Sequence, residues 1–271
     1  MTSALVPSDV AVIVRIWLIA VLAVGFGPPT AANAGCPTHP HHLKAAQFTL
    51  TDSATPIVPG TPLAPVSLPD QWRQRLPASG GLGWYRFTLE VDDGSDQPCA
   101  IYLPDVNMNA AVYIDGHWIG EGGTMTEPVA HNFNRPLYFS FPGSLLQGDH
   151  PRIDVLLYAY AYHFGRLGPI WVGPHRALVT RYRWSYFRQI TLAQLGTVMA
   201  IVTALGVGTL WLSTNRESLY GFFFASTTAW AINSLNYWVS NVPVSHWGWD
   251  RLVNGALDQF AVFLVLFFHR L

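Results

Sequence analysis

The chain has 271 residues, half of them hydrophobic and only 11% charged, with a net charge of −1 and two cysteines. That balance excludes a nucleic-acid binder working through bulk positive charge, a disulfide-dense scaffold and a four-thiolate zinc site. An ordinary soluble domain is about a quarter charged, so the deficit has a location, and it lies mostly at the C-terminal end.

The first apolar run, residues 16–26, has the length of a signal-peptide core, and Ala32-Asn33-Ala34 supplies an A-x-A cleavage pattern. Only Arg15 precedes the run as a basic flank, so an uncleaved anchor starting near Ala11 is the alternative for residues 1–34. A lipoprotein reading through Cys36 is weaker, because Asn33 stands where a lipobox wants Leu. Each reading implies export.

Residues 35–67 are rich in Pro, Thr and Ala and read as an irregular leader. Within it, Thr38-His39-Pro40-His41-His42 invites a metal reading, since imidazoles ligate zinc and copper. A flexible tract is the expectation there, and no metal ligand is assigned. Cys36 and Cys99 share one exported segment, so a disulfide is permitted by compartment, with two unpaired small hydrophobes as the alternative.

From residue 68 to residue 180 the pattern changes to period two. Tyr85, Phe87, Leu89 and Val91 alternate with Arg86, Thr88 and Glu90, the signature of a half-buried strand. Asp115-Gly116 between two apolar runs predicts a hairpin with a type I′ turn. Leu137, Phe139 and Phe141 alternate, and residues 153–162 alternate again with Tyr158, Tyr160 and Tyr162 on one face. Residues 169–172 and 177–180 are expected as further short strands. Such strands with Gly/Pro turns predict an all-β sandwich of jelly-roll type.

Membrane-spanning helices follow. The charge-free runs predict spans over 191–212 and 219–239, and a third over 252–271 that is interrupted by Asn254, Asp258 and Gln259. Tyr182, Trp184, Tyr186 and Phe187 before the first span, and Tyr237 and Trp238 after the second, sit where interfacial aromatics belong. Export puts residues 35–190 in the periplasm and Arg216 and Arg270 inside. Arg181, Arg183 and Arg188 run against the positive-inside rule, which long translocated domains escape.

Leu68-Pro69-Asp70-Gln71-Trp72, then Gly83-Trp84-Tyr85-Arg86, resembles the opening of a galactose-binding-like jelly roll, and Ala111-Val112-Tyr113-Ile114-Asp115-Gly116 with Ile119-Gly120 resembles its central hairpin. Leu103-Pro104-Asp105-Val106-Asn107-Met108-Asn109, Asn132-Phe133-Asn134-Arg135-Pro136 and Leu167-Gly168-Pro169 resemble the 7TM diverse intracellular signalling module receptors of bacteria. The resemblance runs from about Leu68 to Leu271. It implies an exported jelly roll, seven membrane helices and a cytoplasmic histidine kinase or diguanylate cyclase. Four further spans and the output domain would lie beyond Leu271, so these residues are expected to be the input half, not an enzyme, and to need no cofactor.

For ligand contact, Asn107, Asn109, Asn132, Asn134 and Arg135 offer planar hydrogen-bonding groups, and Tyr158, Tyr160, Tyr162 and His163 offer an aromatic platform. Loop bracing and core packing are the competing roles for both sets. Asp92, Asp93 and Asp96 read as a solvated turn before they read as a calcium site. In the membrane part, Asp258 is a functional candidate, and Asn233 and Asn236 are expected to hydrogen-bond a neighbouring helix. The expected function is reception of a small ligand, of carbohydrate-like or other kind, or of a periplasmic protein, in a homodimer if the output is a kinase. A membrane-anchored carbohydrate-binding or assembly module without signalling is the alternative, and no nucleic acid is expected as a partner.

Overall fold

The computed structural model describes residues 35–58, 60–76, 80–91, 94–148, 150–162 and 165–271. The expected leader at 1–34, Asp92 and Asp93 of the acidic turn, and His163 lie outside the described residues.

Strands β1 (Cys36–Pro37), β2 (His41–Leu43), β3 (Ala45–Thr51) and β4 (Ala64–Ser67) come first. After β5 (Asp70–Gln71) and a short helix α1 (Trp72–Arg75) come β6 (Gly81–Thr88), β7 (Gly94–Ser95), β8 (Cys99–Leu103) and β9 (Val106–Asn107). Next are β10 (Asn109–Ile114), β11 (His117–Glu121), β12 (Leu137–Phe141), β13 (Arg152–Ala159), β14 (Arg166–Leu167) and β15 (Ile170–Pro174). All recorded pairings are antiparallel. The main sheets run β11-β10-β13-β6-β3-β4 and β12-β8-β15-β2, with smaller sheets β5-β14-β9 and β1-β7.

One apolar core joins the two large sheets: Phe48, Tyr85, Phe87, Val112, Ile153 and Val155 from the first, Ile101, Leu103, Leu137, Phe141 and Val172 from the second. The period-two reading of Tyr85, Phe87, Leu89 and Val91 holds, since all four are buried. On the opposite face Thr88 and Glu90 are exposed, as a half-buried strand would have it, but the end nearer Trp84 is covered. Trp84, Ala111 and Leu156 are buried there beneath Ile57 and Met125, and Arg86 makes a two-pronged pair with Asp154 while also donating to the Ile57 carbonyl. The hairpin turn is as expected: Asp115 and Gly116 both have positive φ, 47° and 84°.

Two expectations need correction. The segment 35–67 is not an irregular leader but carries β1 to β4, because the free edges of β6 and β15 need partners and β3 and β2 supply them. Ala46 and Phe48 point into the core from β3. Residues 177–180 are not a strand. They lie in helix α2 (His175–Tyr186), which begins directly after Pro174 and presents Leu178, Tyr182 and Tyr186 at four-residue spacing, a helical face. Cys36 and Cys99 are joined in a disulfide that ties β1 to β8.

Helix α2 passes through a π-turn, Phe187–Thr191, into α3 (Leu192–Ser213). Then come α4 (Ser218–Asn233), a 3₁₀ turn (Ser234–Tyr237) and α5 (His246–Arg270). Among the described residues, two helices are long and apolar enough to cross a membrane: the continuous stretch His175–Ser213 and His246–Arg270. The span expected at 219–239 stops at Asn233, where the Asn233 side chain donates to the Val253 carbonyl and Ser234 donates back to Trp230. The third expected span starts earlier than 252. Ser245 caps α5 by accepting from the Gly248 amide at 3.3 Å, so the helix opens at His246.

Candidate functional site

The polar residues gather at the seam between the β head and the helices. The segment from Gly122 to Arg135 links β11 to β12, and two asparagines brace it. Asn109 donates to the Gly123 and Thr124 carbonyls, at 2.9 and 3.1 Å. Its Oδ1 accepts from Asn132, which also donates to the Gly122 carbonyl. Gly122 must be glycine, because a Cβ there would lie 2.5 Å from Asn109 Oδ1 and 2.7 Å from Asn132 Nδ2. Asn109 and Asn132 are therefore buried braces of this segment.

The braced segment reaches the helices. The His131 amide donates to the Ser240 carbonyl, and the Thr124 amide donates to Asn241 Oδ1. Arg135, expected on a ligand, ties head to helices: it donates to the Tyr186 hydroxyl of α2 and to the Tyr237 carbonyl, both at 3.2 Å. Gln194 of α3 donates to the same carbonyl at 3.0 Å.

Beside this tie lies a cleft of about 500 Å³, lined by Gln71, Arg73, Asn107, Phe133, Asn134, Arg166 and, from α5, Asn254. The small sheet explains the polar wall. Arg166 on β14 pairs in register with Gln71 on one side and Asn107 on the other, so the three side chains stand abreast on one face. Arg166 also meets Asp105 at 2.6 Å. A second hollow of about 440 Å³ shares Phe133, Asn134 and Arg166 and extends to Gln189 and Tyr237. Of the residues expected on a ligand, Asn107 and Asn134 line this cleft. Gln71, Arg73, Arg166 and Asn254 were missed: Gln71 and Arg166 meet through the register of two-residue strands, and Arg73 of α1 and Asn254 of α5 join them only in the tertiary fold.

The tyrosines form a stacked ladder in which Tyr158 and Tyr160 are half-buried and Tyr162 is exposed. Tyr158 meets Tyr160 edge-on, and Tyr160 stacks on Tyr162. Tyr160 also stacks on His246 at 3.9 Å, and Tyr162 stacks on Trp247 at 5.0 Å. Tyr160 donates to Glu127. Burial, and then the Asp250, Glu127 and Tyr158 charges, push the Tyr162 hydroxyl up to about 12, so it stays protonated at neutral pH. The ladder thus packs the head onto the first turn of α5.

Within that packing, His131 Nε2 lies 3.2 Å from His246 Nδ1, and His246 Nε2 lies 3.2 Å from Asp250 Oδ2. Both imidazoles are buried. One ligand atom from each of the three residues can be chosen so that all lie within 4.8 Å of one another. The sequence offers no signal for this group, since His131 and His246 are 115 residues apart. The His39-Pro40-His41-His42 tract, by contrast, runs into strand β2, with His42 stacked on Trp171.

In the helical part, Asn233 donates to the Val253 carbonyl at 3.0 Å, and Asn236 Oδ1 accepts from Trp249 Nε1 at 2.7 Å, so each bonds from the α4 side to α5. Asp258 is exposed on α5.

No family model and no curated protein matches the chain. Solved structures similar to part of it include a GH2 β-galacturonidase from Eisenbergiella tayi, 13% identical over 55% of this chain and 26% of that one, with a TM-score of 0.36. A β-glucuronidase from Faecalibacterium prausnitzii is 15% identical over 49% of this chain and 22% of its own, with a TM-score of 0.34. A Bacteroides uniformis β-glucuronidase is 16% identical over 49% and 18%, with a TM-score of 0.38. The chain therefore spans about a quarter or less of these three proteins, and likeness of this extent assigns neither substrate nor reaction.

Proposed function

We propose that the chain is the input portion of a bacterial inner-membrane sensor, with a galactose-binding-like jelly-roll head in the periplasm and helices that relay its state to a cytoplasmic output of histidine kinase type. The observation that carries this reading is the shared wall of the cleft. Gln71, Asn107, Asn134 and Arg166 belong to the head, Asn254 belongs to α5, and Arg135 ties the adjoining segment to Tyr186 and Tyr237. A ligand contacting both sides has a different affinity for each head–helix arrangement, and such a difference is what shifts a conformational equilibrium.

The lining defines the ligand class. Two guanidinium groups, four amides and the Phe133 ring suit a small hydroxylated molecule bearing a carboxylate or similar anion. The helices support the proposed topology. The chain after α4 returns to the head at Ser240 and Asn241, while Phe223 and Phe267 meet 5.1 Å apart toward the opposite end. This gathers Arg216, His269 and Arg270 at the end away from the head, as the positive-inside rule favours for a cytoplasmic face. α4 is about 24 Å long at 1.5 Å per residue, and its 3₁₀ turn extends it toward the ~30 Å of a bilayer core.

The test is binding of a panel of sugars and sugar acids to the full chain in detergent, read by tryptophan fluorescence. Arg166→Ala is expected to weaken any bound sugar acid by roughly 10- to 100-fold, the range for a charged hydrogen bond. Uniform silence of the panel, or binding indifferent to Arg166→Ala, would remove the cleft from the reading.

A further inference from the structure

We propose that His131, His246 and Asp250 form a binding site for a divalent transition ion of the zinc class, which fastens α5 to the head. The donor set is the first argument. Two imidazoles and one carboxylate are ligands of borderline metals such as zinc, and three protein ligands leave a fourth position for water. Geometry is the second. Ring nitrogens bound to one tetrahedral zinc at ~2.0–2.1 Å lie about 3.4 Å apart, and His131 Nε2 and His246 Nδ1 are 3.2 Å apart. Asp250 Oδ2 is 3.2 Å from the other ring nitrogen, His246 Nε2, and the three ligand atoms lie within 4.8 Å of one another, so the carboxylate closes on the ion by a small side-chain movement.

Local structure makes the site stiff. The Ser245 cap fixes the first turn of α5, so His246 and Asp250 share a face at i and i+4. Tyr160 stacks flat on His246 and holds its ring plane. On the other side, the backbone amide of His131 is anchored to the Ser240 carbonyl, next to the asparagine-braced loop. Both histidines are buried, and the Asp250 side chain is only 17% exposed, so the ion would be held where water competes weakly.

A bound ion would have one ligand on the head and two on α5, bridging the junction that the proposed sensor must work across. The inference does not rest on that sensor reading, because the group shares no residue with the seam cleft.

The experiment uses the full chain in detergent, stripped with a chelator and dialysed against zinc sulfate or cobalt chloride. One zinc per chain is expected by elemental analysis, and cobalt should give ligand-field bands without a thiolate band, since both cysteines are in the disulfide. His131→Ala and the near-isosteric Asp250→Asn are each expected to weaken zinc binding at least tenfold, whereas replacing His39, His41 and His42 together by Ala leaves it unchanged. On the unaltered chain, zinc should slow hydrogen exchange in residues 129–135 and 246–250 together, a readout that needs no variant to fold. Absence of retained zinc, equal affinity in Asp250→Asn, loss of binding in the triple variant, or exchange unaffected by zinc would each overturn the assignment.

Discussion

The head and the helices treat the same kinds of side chain in opposite ways. In the head, Phe48, Trp72, Tyr85 and Phe87 are almost wholly withdrawn from solvent, and their polar atoms are paired. Trp72 Nε1 donates to the Tyr85 hydroxyl, which donates to Asp70, which also receives Arg75. On α3, Met199, Val202 and Leu205 are 64–70% exposed. Both regions are apolar, but only one closes on itself. The head is built to be stable against water, and the exposed faces of the helices are built for an apolar surrounding.

Substitution at matched apolar positions tests that contrast most severely. Trp72 sits in a slot where a Cβ on Gly83 or Gly165 would fall 2.6 or 2.5 Å from its ring. Trp72→Ala is expected to cost the head about 3–5 kcal/mol, the range for removing a large buried aromatic. Leu205→Ala should change stability in detergent by no more than about 0.5 kcal/mol. Denaturant unfolding of the two variants checks both values. If they cost equal amounts, the two regions are not differently solvated.

A finer version of the contrast lies within the head, among four asparagines close in sequence. Asn109 and Asn132 are buried and bond to each other and to the segment after β11, whereas Asn107 and Asn134 line the cleft. Asn109→Ala leaves the Gly123 and Thr124 carbonyls and the Ala110 amide without their partner and is expected to cost about 1–3 kcal/mol. Asn134→Ala, at an exposed position, should stay within about 0.5 kcal/mol. Thermal melts of the pair separate brace from lining. Similar losses for both would mean that the cleft wall is itself structural.

Those four residues also mark how far the sequence could be read. Residue type and neighbourhood pointed to all four, but only the tertiary fold sorts them: Asn109 and Asn132 bond to each other and to the segment after β11, while β9 pairing on β14 puts Asn107 in the cleft wall. Long alternation was legible: Tyr85 to Val91 face the core, and Asp115-Gly116 turns the hairpin. Strand β3 was hidden because Pro and Thr around it resemble a loop, and its alternation shows only in Ala46 and Phe48. Leu178-Val179-Thr180 is β-like in composition, but the four-residue spacing of Leu178, Tyr182 and Tyr186 is helical, and Tyr182 packs on Tyr102 and Tyr138 of the head. The group of His131, His246 and Asp250 was illegible, since no local spacing connects a loop of the head to a helix more than a hundred residues later.

The smallest expected effect concerns the other contact between head and helices, on the four-stranded sheet. His42 stacks on Trp171 at 4.0 Å, and the Arg181 guanidinium of α2 lies 3.9 Å from the same indole. Burial, then the nearby Lys44 and Arg181 charges, hold the His42 imidazole below its ordinary value of 6.5. The unfolded chain therefore takes up this proton more readily than the folded one. Stability contributed by neutral His42 is present above pH 6.5 and declines as pH falls from there toward the folded value. Lys44→Gln removes the second of the three causes, so His42 should titrate higher than before yet still below 6.5, and the acid-side loss of stability should shrink. NMR titration of the imidazole reads the shift directly. An unmoved titration would mean that the Lys44 charge is screened by solvent, leaving burial and the α2 guanidinium as the influences on His42, and this contact would then report the docking of α2 on the head more cleanly.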